Sequence, residues 1–204
     1  MNNIILIEPQ YLPPITFFKM IKNSKGLQIE QYEHYIKSTY RNRCYIAGPN
    51  GVILLSIPLK KGKYQQHTAV KDVHISYENN WQKEHWKTIM FSYRSSPYFE
   101  YYEESFKTIY STKYEKLIDL NMDLLHLIIK HLQLNIEINY TTSYEKANAN
   151  MDDKRNFLKP NSAVENTFIL PKYYQVFESK TGFLPNMSII DLLFAEGNNA
   201  SSFL

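Results

Sequence analysis

The densest run of reactive side chains is Glu30-Gln31-Tyr32-Glu33-His34-Tyr35-Ile36-Lys37, followed by Tyr40-Arg41-Asn42-Arg43-Cys44. Acids, bases and aromatics interleave there more closely than a solvated loop requires. In an extended chain, alternation puts Glu33, Tyr35 and Lys37 on one face, and Arg41 with Arg43 on one face. Guanidinium forks suit bidentate contacts to carboxylate or phosphate. The chemistry expected is capture of a small anionic metabolite by Arg41 and Arg43. Asn42 would orient it, Tyr40 would offer a stacking platform, and Glu30 would move a proton. Lys37 is a second anion ligand or an activated amine. Structural ion pairs would explain the same residues without a ligand.

Two further stretches carry chemistry. Glu8-Pro9-Gln10-Tyr11-Leu12-Pro13-Pro14 leaves an apolar run and precedes Ile15 to Lys22, whose apolar residues have helical spacing. Gln10 and Tyr11 thus sit between a strand end and a helix N-terminus, where free N–H groups attract anions; prolines merely stiffening a connection is the plain alternative. In Trp81-Gln82-Lys83-Glu84-His85-Trp86, the pair Trp81 and His85 shares a helical face. His85 is either an acid–base group or a satisfied core histidine, and Trp81 either lines a substrate or packs. Cys44 with His85 forms a conceivable thiol–imidazole pair, against the plainer reading of a buried structural thiol.

Elements able to hold these side chains are legible along the chain. Residues 4–7 read as a buried strand and the segment after Pro14 as a helix. Strands are expected near 27–32, 43–47, 52–58 and 69–76, with Pro49-Asn50-Gly51 as a turn. Asn79 and Gln82 fit a capping box that opens a helix running to Ser95-Ser96-Pro97. Residues 97–111 read as helical on the stripe Phe99, Tyr102, Phe106 and Ile109, and residues 113–133 as the longest helix. Ile136 to Tyr140 is an expected strand, and Ser188 to Asp191 opens a last helix that Gly197 closes. The polar, aperiodic stretch over residues 147–162 is expected to be a mobile loop. The class is α+β: an N-terminal strand–loop–helix and a small mixed sheet, packed with a helical second half in one domain over 1–204.

Composition removes several classes of function. The 204 residues carry a net charge of only +3, so duplex nucleic acid is not an expected partner, although 17 tyrosines would allow base stacking. The basic run Lys60-Lys61-Gly62-Lys63 reads as a solvated turn. No stretch reaches the roughly 20 apolar residues of a membrane span. The N-terminus lacks a signal sequence's basic and apolar regions. A single cysteine suits a reducing compartment, so the cytoplasm is the expected location. The histidines show no zinc spacing, and no glycine-rich phosphate loop, G-x-S-x-G or paired-cysteine motif occurs, so no metal is expected and no cofactor is named. The tyrosine content predicts a core threaded with polar contacts.

Taken in order, several pieces resemble the WbqC-like family of bacterial proteins. They are Gln10-Tyr11-Leu12-Pro13; Tyr35-Ile36-Lys37 with Asn42-Arg43; Leu55-Ser56-Ile57-Pro58; Trp81 with His85-Trp86; Tyr93 with Pro97-Tyr98-Phe99; and Ser188 to Phe194. Much of that family carries Gln-Pro before the tyrosine of the first motif and paired aspartates near positions 31 and 32. Here those two positions hold Gln31 and Tyr32, flanked by Glu30 and Glu33, so chemistry that rests on the aspartates would differ in this chain. Many relatives have Asn at the position of Cys44, which speaks against a thiol nucleophile. The family takes its name from clusters for O-antigen and other surface polysaccharides. The resemblance implies an enzyme of that biosynthesis, a transferase modifying a nucleotide-linked sugar or a similar small anionic metabolite. A non-catalytic ligand-binding or assembly protein is the alternative.

Overall fold

The computed structural model describes residues 4–60, 67–146, 151–160 and 168–204. The apolar run Ile4–Ile7 forms strand β1, and helix α1 spans Ile15–Ile21 behind Pro14, whose fixed φ leads into the first turn. Strand β2, Gly26–Ile29, returns parallel to β1. Parallel neighbours need a crossover, and α1 supplies it. Two strands from far along the chain complete the sheet, each parallel to its neighbour. Strand β5 is Glu137–Tyr140 beside β2, and β6 is Asp152–Asp153 beside β1.

The sheet order is therefore β5-β2-β1-β6. The third and fourth strands add on opposite sides of the first pair, as in half of a doubly wound sheet, with the switch in direction between β1 and β6. All four carboxyl ends face the same edge, which fixes where the polar loops gather.

An antiparallel hairpin stands apart from this sheet. Strand β3 is Arg43–Gly48 and β4 is Gly51–Ser56, in a register that pairs Gly48 with Gly51. Pro49 and Asn50 form the loop between them, and Gly51 takes φ +111, a value that favours glycine. Parallel and antiparallel pairings are thus both present, in separate sheets.

Helices α2 (Trp81–Tyr93), α3 (Phe99–Ser111), α4 (Leu117–His131) and the short α5 (Glu178–Thr181) precede α6, Ile189–Glu196. The arrangement is α+β. The stripe of Phe99, Tyr102, Phe106 and Ile109 is buried, as are Leu117, Leu120, Leu124 and Ile128 of α4. Leu127 is only partly buried. Helix α6 packs against α1, α3 and β3. No helix among the described residues is long and apolar enough to cross a membrane.

Local signals were redirected in several places. Residues 69–76 form no strand; Val70–Asp72 is a 3-10 turn with isolated bridges around it. The backbone there serves the loop after β2 instead, since Val70 N–H donates to Glu33 and Lys71 N–H to Gln31. The expected capping box does not form. Asn80 rather than Asn79 is the cap residue, without a side-chain bond, and Gln82 donates to the Thr112 carbonyl at 2.6 Å. Lys61, Gly62 and Lys63 lie outside the described residues, as do 147–150 and 161–162 of the expected loop. Within that loop, Asp152–Asp153 is a sheet strand, because β1 leaves an edge for it to pair with.

Polar contacts thread the tyrosine-rich interior. Asp191 on α6 is buried and accepts from Tyr173 Oη, from Gln175 Nε2 at 2.6 Å and from the Tyr93 hydroxyl. Burial raises its pKa, partly offset by those three donors. Gly197 closes α6 at φ +56, with the Tyr98 ring where a β-carbon would stand. Asp191→Ala would strand the three donors, each unsatisfied group costing about 1–3 kcal/mol. Urea unfolding is expected to show a loss of roughly 2–4 kcal/mol, with a smaller loss for Asp191→Asn.

Candidate functional site

Each strand of the parallel sheet ends in a polar residue turned toward the same edge. Glu8 follows β1, Glu30 follows β2, Thr141 follows β5, and Lys154, Arg155 and Asn156 follow β6. Glu8, Glu30, Glu33 and Arg41 are all buried there, which requires that each charge be met. Arg41 is the hub. It donates to Glu33 Oε1 from Nε at 3.0 Å and again from a terminal nitrogen, to Thr39 at 3.2 Å and to Asn156 Oδ1 at 2.9 Å. Its guanidinium stands 4.0 Å from Glu8. Glu8 also accepts from Asn156 N–H and from Gln10 Nε2, both at 2.9 Å.

A second guanidinium closes the other side. Arg155 bonds Glu30 Oε2 at 3.1 Å, Asp153 at 3.0 Å and the Glu145 carbonyl at 2.8 Å. Glu30 Oε1 further accepts from the backbone of Tyr32 at 2.8 Å and Glu33 at 3.2 Å, and from the Thr141 hydroxyl at 3.2 Å. Both guanidiniums are consumed by internal carboxylates.

Glu33 differs from its neighbours. Its Oε1 is held by Arg41, whereas Oε2 has no hydrogen-bond partner among the described residues. Its pKa is raised to about 7, first by burial and then by Glu8 and Glu30, against the lowering pull of Arg41. Glu33 lines a cleft of about 340 Å³ with Tyr32, His34, Ile36, Tyr144 and Asn156. An adjoining cleft of about 400 Å³ shares Glu33, Tyr144 and Asn156 and adds Lys146, Asp153 and Arg155. Among the described residues no group of three or more His, Cys, Asp or Glu is arranged to hold a metal ion.

The residues marked out by sequence separate into two layers. Gln10, Glu30 and Arg41 belong to the cluster at the sheet edge. Tyr11, Trp81 and His85 lie in the interior, where Tyr11 Oη meets His85 Nδ1 at 2.9 Å and also bonds Tyr110 Oη. The backbone of Ser56 hydrogen-bonds His85 as well, and burial lowers its pKa to about 4, so the imidazole is neutral at neutral pH. Trp81 stacks edge-on against it at 5.2 Å.

The remaining candidates have structural surroundings. Tyr40 is buried edge-on to Tyr45, and its carbonyl accepts from Tyr11 N–H at 2.8 Å. Asn42 accepts from the Tyr35 hydroxyl at 2.8 Å and donates to the Ile57 carbonyl at 2.9 Å. Arg43 opens β3, half-buried, and does not join Arg41 in the cluster; its Nε has no partner among the described residues. Lys37 is exposed. Cys44 is fully buried, and burial pushes its thiol pKa up, which leaves it inert. The N-terminus of α1 is not open to an anion, because Met187, Asn186 and Pro14 take the N–H groups of Ile15, Thr16 and Phe17.

Sequence reasoning passed over Tyr144, Asp153, Arg155 and Asn156. They fall in or beside the stretch read as an aperiodic loop. Asp152-Asp153-Lys154-Arg155-Asn156 nonetheless packs acid, base and amide as tightly as residues 30–43 do, and that density was the available signal.

The fold and cleft together define an α+β protein with a ligand-sized recess at the carboxyl edge of a small parallel sheet. The chain belongs to the WbqC-like protein family, whose profile matches residues 8–158. The match begins at Glu8 and ends two residues past Asn156, so it contains the whole cluster. The chain is also similar to a Mycobacterium tuberculosis (strain ATCC 25618 / H37Rv) protein named "Uncharacterized protein Rv1507c", at 23% identity over 229 aligned positions, covering 100% of this chain and 98% of that one. No solved structure matches.

Glu33 and His85 make opposite demands on pH. Glu33 holds its proton to about pH 7 when folded, against an ordinary value of 4.5, so its contribution is present in acid and lost as pH rises through 7. His85 titrates near 4 instead of 6.5, so its contribution is present above 6.5 and lost as pH falls through 4. Between roughly pH 5 and 6.5 the two oppose each other. Relative to the parent protein, Glu33→Gln is expected to lose stability more steeply on acidification, and His85→Gln less steeply. Each slope should change by up to about 1.4 kcal/mol per pH unit in urea unfolding.

Proposed function

We propose that this protein is a cytoplasmic enzyme of surface-polysaccharide assembly, a transferase that modifies a small sugar carried on a nucleotide. The observation that carries the reading is Glu33: a buried carboxyl in a cleft, with one oxygen that has no partner among the described residues and a proton held to about pH 7. A proton affinity near neutrality suits general acid–base work. The cleft lies by the switch point of a parallel sheet, the usual ligand position in such folds. Family membership supports the polysaccharide setting, through the clusters that give the family its name.

The roles follow from which groups remain available. Glu33 moves the proton. Glu30, with both oxygens occupied, holds Arg155 and the loop in place. Tyr32 and Tyr144 offer ring faces to a sugar, and Asn156 orients it. Anionic phosphates fit the outer end, where Lys146 lines the recess, rather than Arg41, whose charge is already paired with Glu33. His85 braces the Tyr11 loop from below.

A thermal-shift screen with nucleotides and nucleotide-sugars tests this. A ligand at a hundred times its dissociation constant stabilises the folded state by about 2.7 kcal/mol. At least one nucleotide-sugar is expected to raise the melting temperature more than its bare nucleotide. Once an active pair is found, Glu33→Gln should lower turnover at saturating substrate about 10²–10⁴-fold. Turnover unchanged in that variant would make the cleft a binding site without chemistry at Glu33.

A further inference from the structure

Four carboxylates meet at the sheet edge, from Glu8, Glu30, Glu33 and Asp153, against the two guanidiniums of Arg41 and Arg155. Fully ionised, the cluster is two negative charges in excess. Every guanidinium nitrogen already donates to a protein oxygen. An anion at the inner end would face Glu33 with no free positive partner, and like-charge contact in a partly desolvated cleft is costly. The aromatic walls agree with the charges. The Tyr144 ring carries Arg155 at 5.1 Å and the Tyr32 ring carries Lys71 at 4.3 Å, so each ring already supports a cation on one of its faces.

We propose that the group seated against Glu33 Oε2 is a primary amine, so that the substrate of this cleft is an amine-bearing sugar or another small amine. This deepens the functional reading above and rests on the same cleft. The ammonium would donate to this carboxylate oxygen, which has no partner among the described residues, with Tyr144 and Tyr32 beside it. It would supply one of the two positive charges that the ionised cluster lacks. In the empty cleft a proton on Glu33 does that work, at its raised pKa of about 7. An arriving ammonium displaces that proton to solvent. Lys146 at the outer end meets the anionic carrier, and Asp153 stays tied to Arg155. Within the seated pair, the ammonium can pass a proton to Oε2: an N–H bond breaks, an O–H bond forms, and the neutral amine lone pair becomes nucleophilic.

Isothermal titration in two buffers of different ionisation heat tests the inference with UDP-glucosamine, UDP-glucose and putrescine. The expected result is that UDP-glucosamine binds about tenfold or more tightly than UDP-glucose. Its binding should release a fraction of a proton at pH 7 and a larger fraction at pH 6. Glu33→Gln, checked for folding by circular dichroism, should abolish both the preference and the release. Equal binding of UDP-glucose without proton release overturns the amine inference and leaves the nucleotide-sugar function standing. Binding of putrescine alone, with proton release, supports the amine and overturns the nucleotide-sugar function. Failure of both amines to bind, or a preference that survives in Glu33→Gln, overturns the inference.

Discussion

A guanidinium that is 1% exposed has to be surrounded by acceptors, and Arg41 collects them from loops that the parallel sheet brings to one edge. Glu33 comes from the loop after β2, Asn156 from the loop after β6, and Glu8 from the end of β1. Its own carbonyl accepts from Asn121 of α4 at 2.8 Å, which ties the helical half to the same point. Removing one partner of such a buried pair costs about 3–5 kcal/mol, because the other charge is left uncompensated. The geometry of the cleft is therefore inherited from one arginine.

The first motif joins the two layers of the molecule. Glu8 and Gln10 belong to the charged cluster, whereas Tyr11, the next residue, belongs to the His85 and Tyr110 network in the core. Leu12 takes φ +41, a left-handed conformation that a leucine adopts only under constraint. Tyr11 N–H is pinned to the Tyr40 carbonyl at 2.8 Å, directly beside Arg41. The aromatic network below thus holds the loop that carries the charges above, with His85 bonded to Tyr11 within it.

The elements were legible where one local signal decides them. Apolar runs gave β1 and β2, apolar stripes gave α3 and α4, and Pro49-Asn50-Gly51 gave the hairpin. Capping was less readable, because Gln82 and Asp191 found tertiary partners that outcompeted their helix ends. The candidate site was half legible. Residues 30–41 stood out by density, but their roles depended on partners distant in sequence. Nothing local says that Arg41 faces Glu33 and Asn156 rather than a ligand, or that Arg43 opens a strand away from the cluster. Strand β6 was not readable as structure, since two residues carry no periodicity and form a strand only because β1 offers an edge.

The order in which the cluster's members leave the ribosome has a consequence of its own. Glu8, Glu30, Glu33 and Arg41 emerge together, while Arg155, Asn156 and the strand that carries them come more than a hundred residues later. Until then Glu8 lacks the Asn156 N–H, Glu30 lacks its guanidinium, and β1 has an open edge. Non-local strand pairing of this kind is slow and leaves an exposed edge in the meantime. The nascent chain therefore passes through a long stage in which its most highly charged loops and its most apolar strand are both without their final partners. Arrival of the β6 segment completes the sheet and the recess in one event.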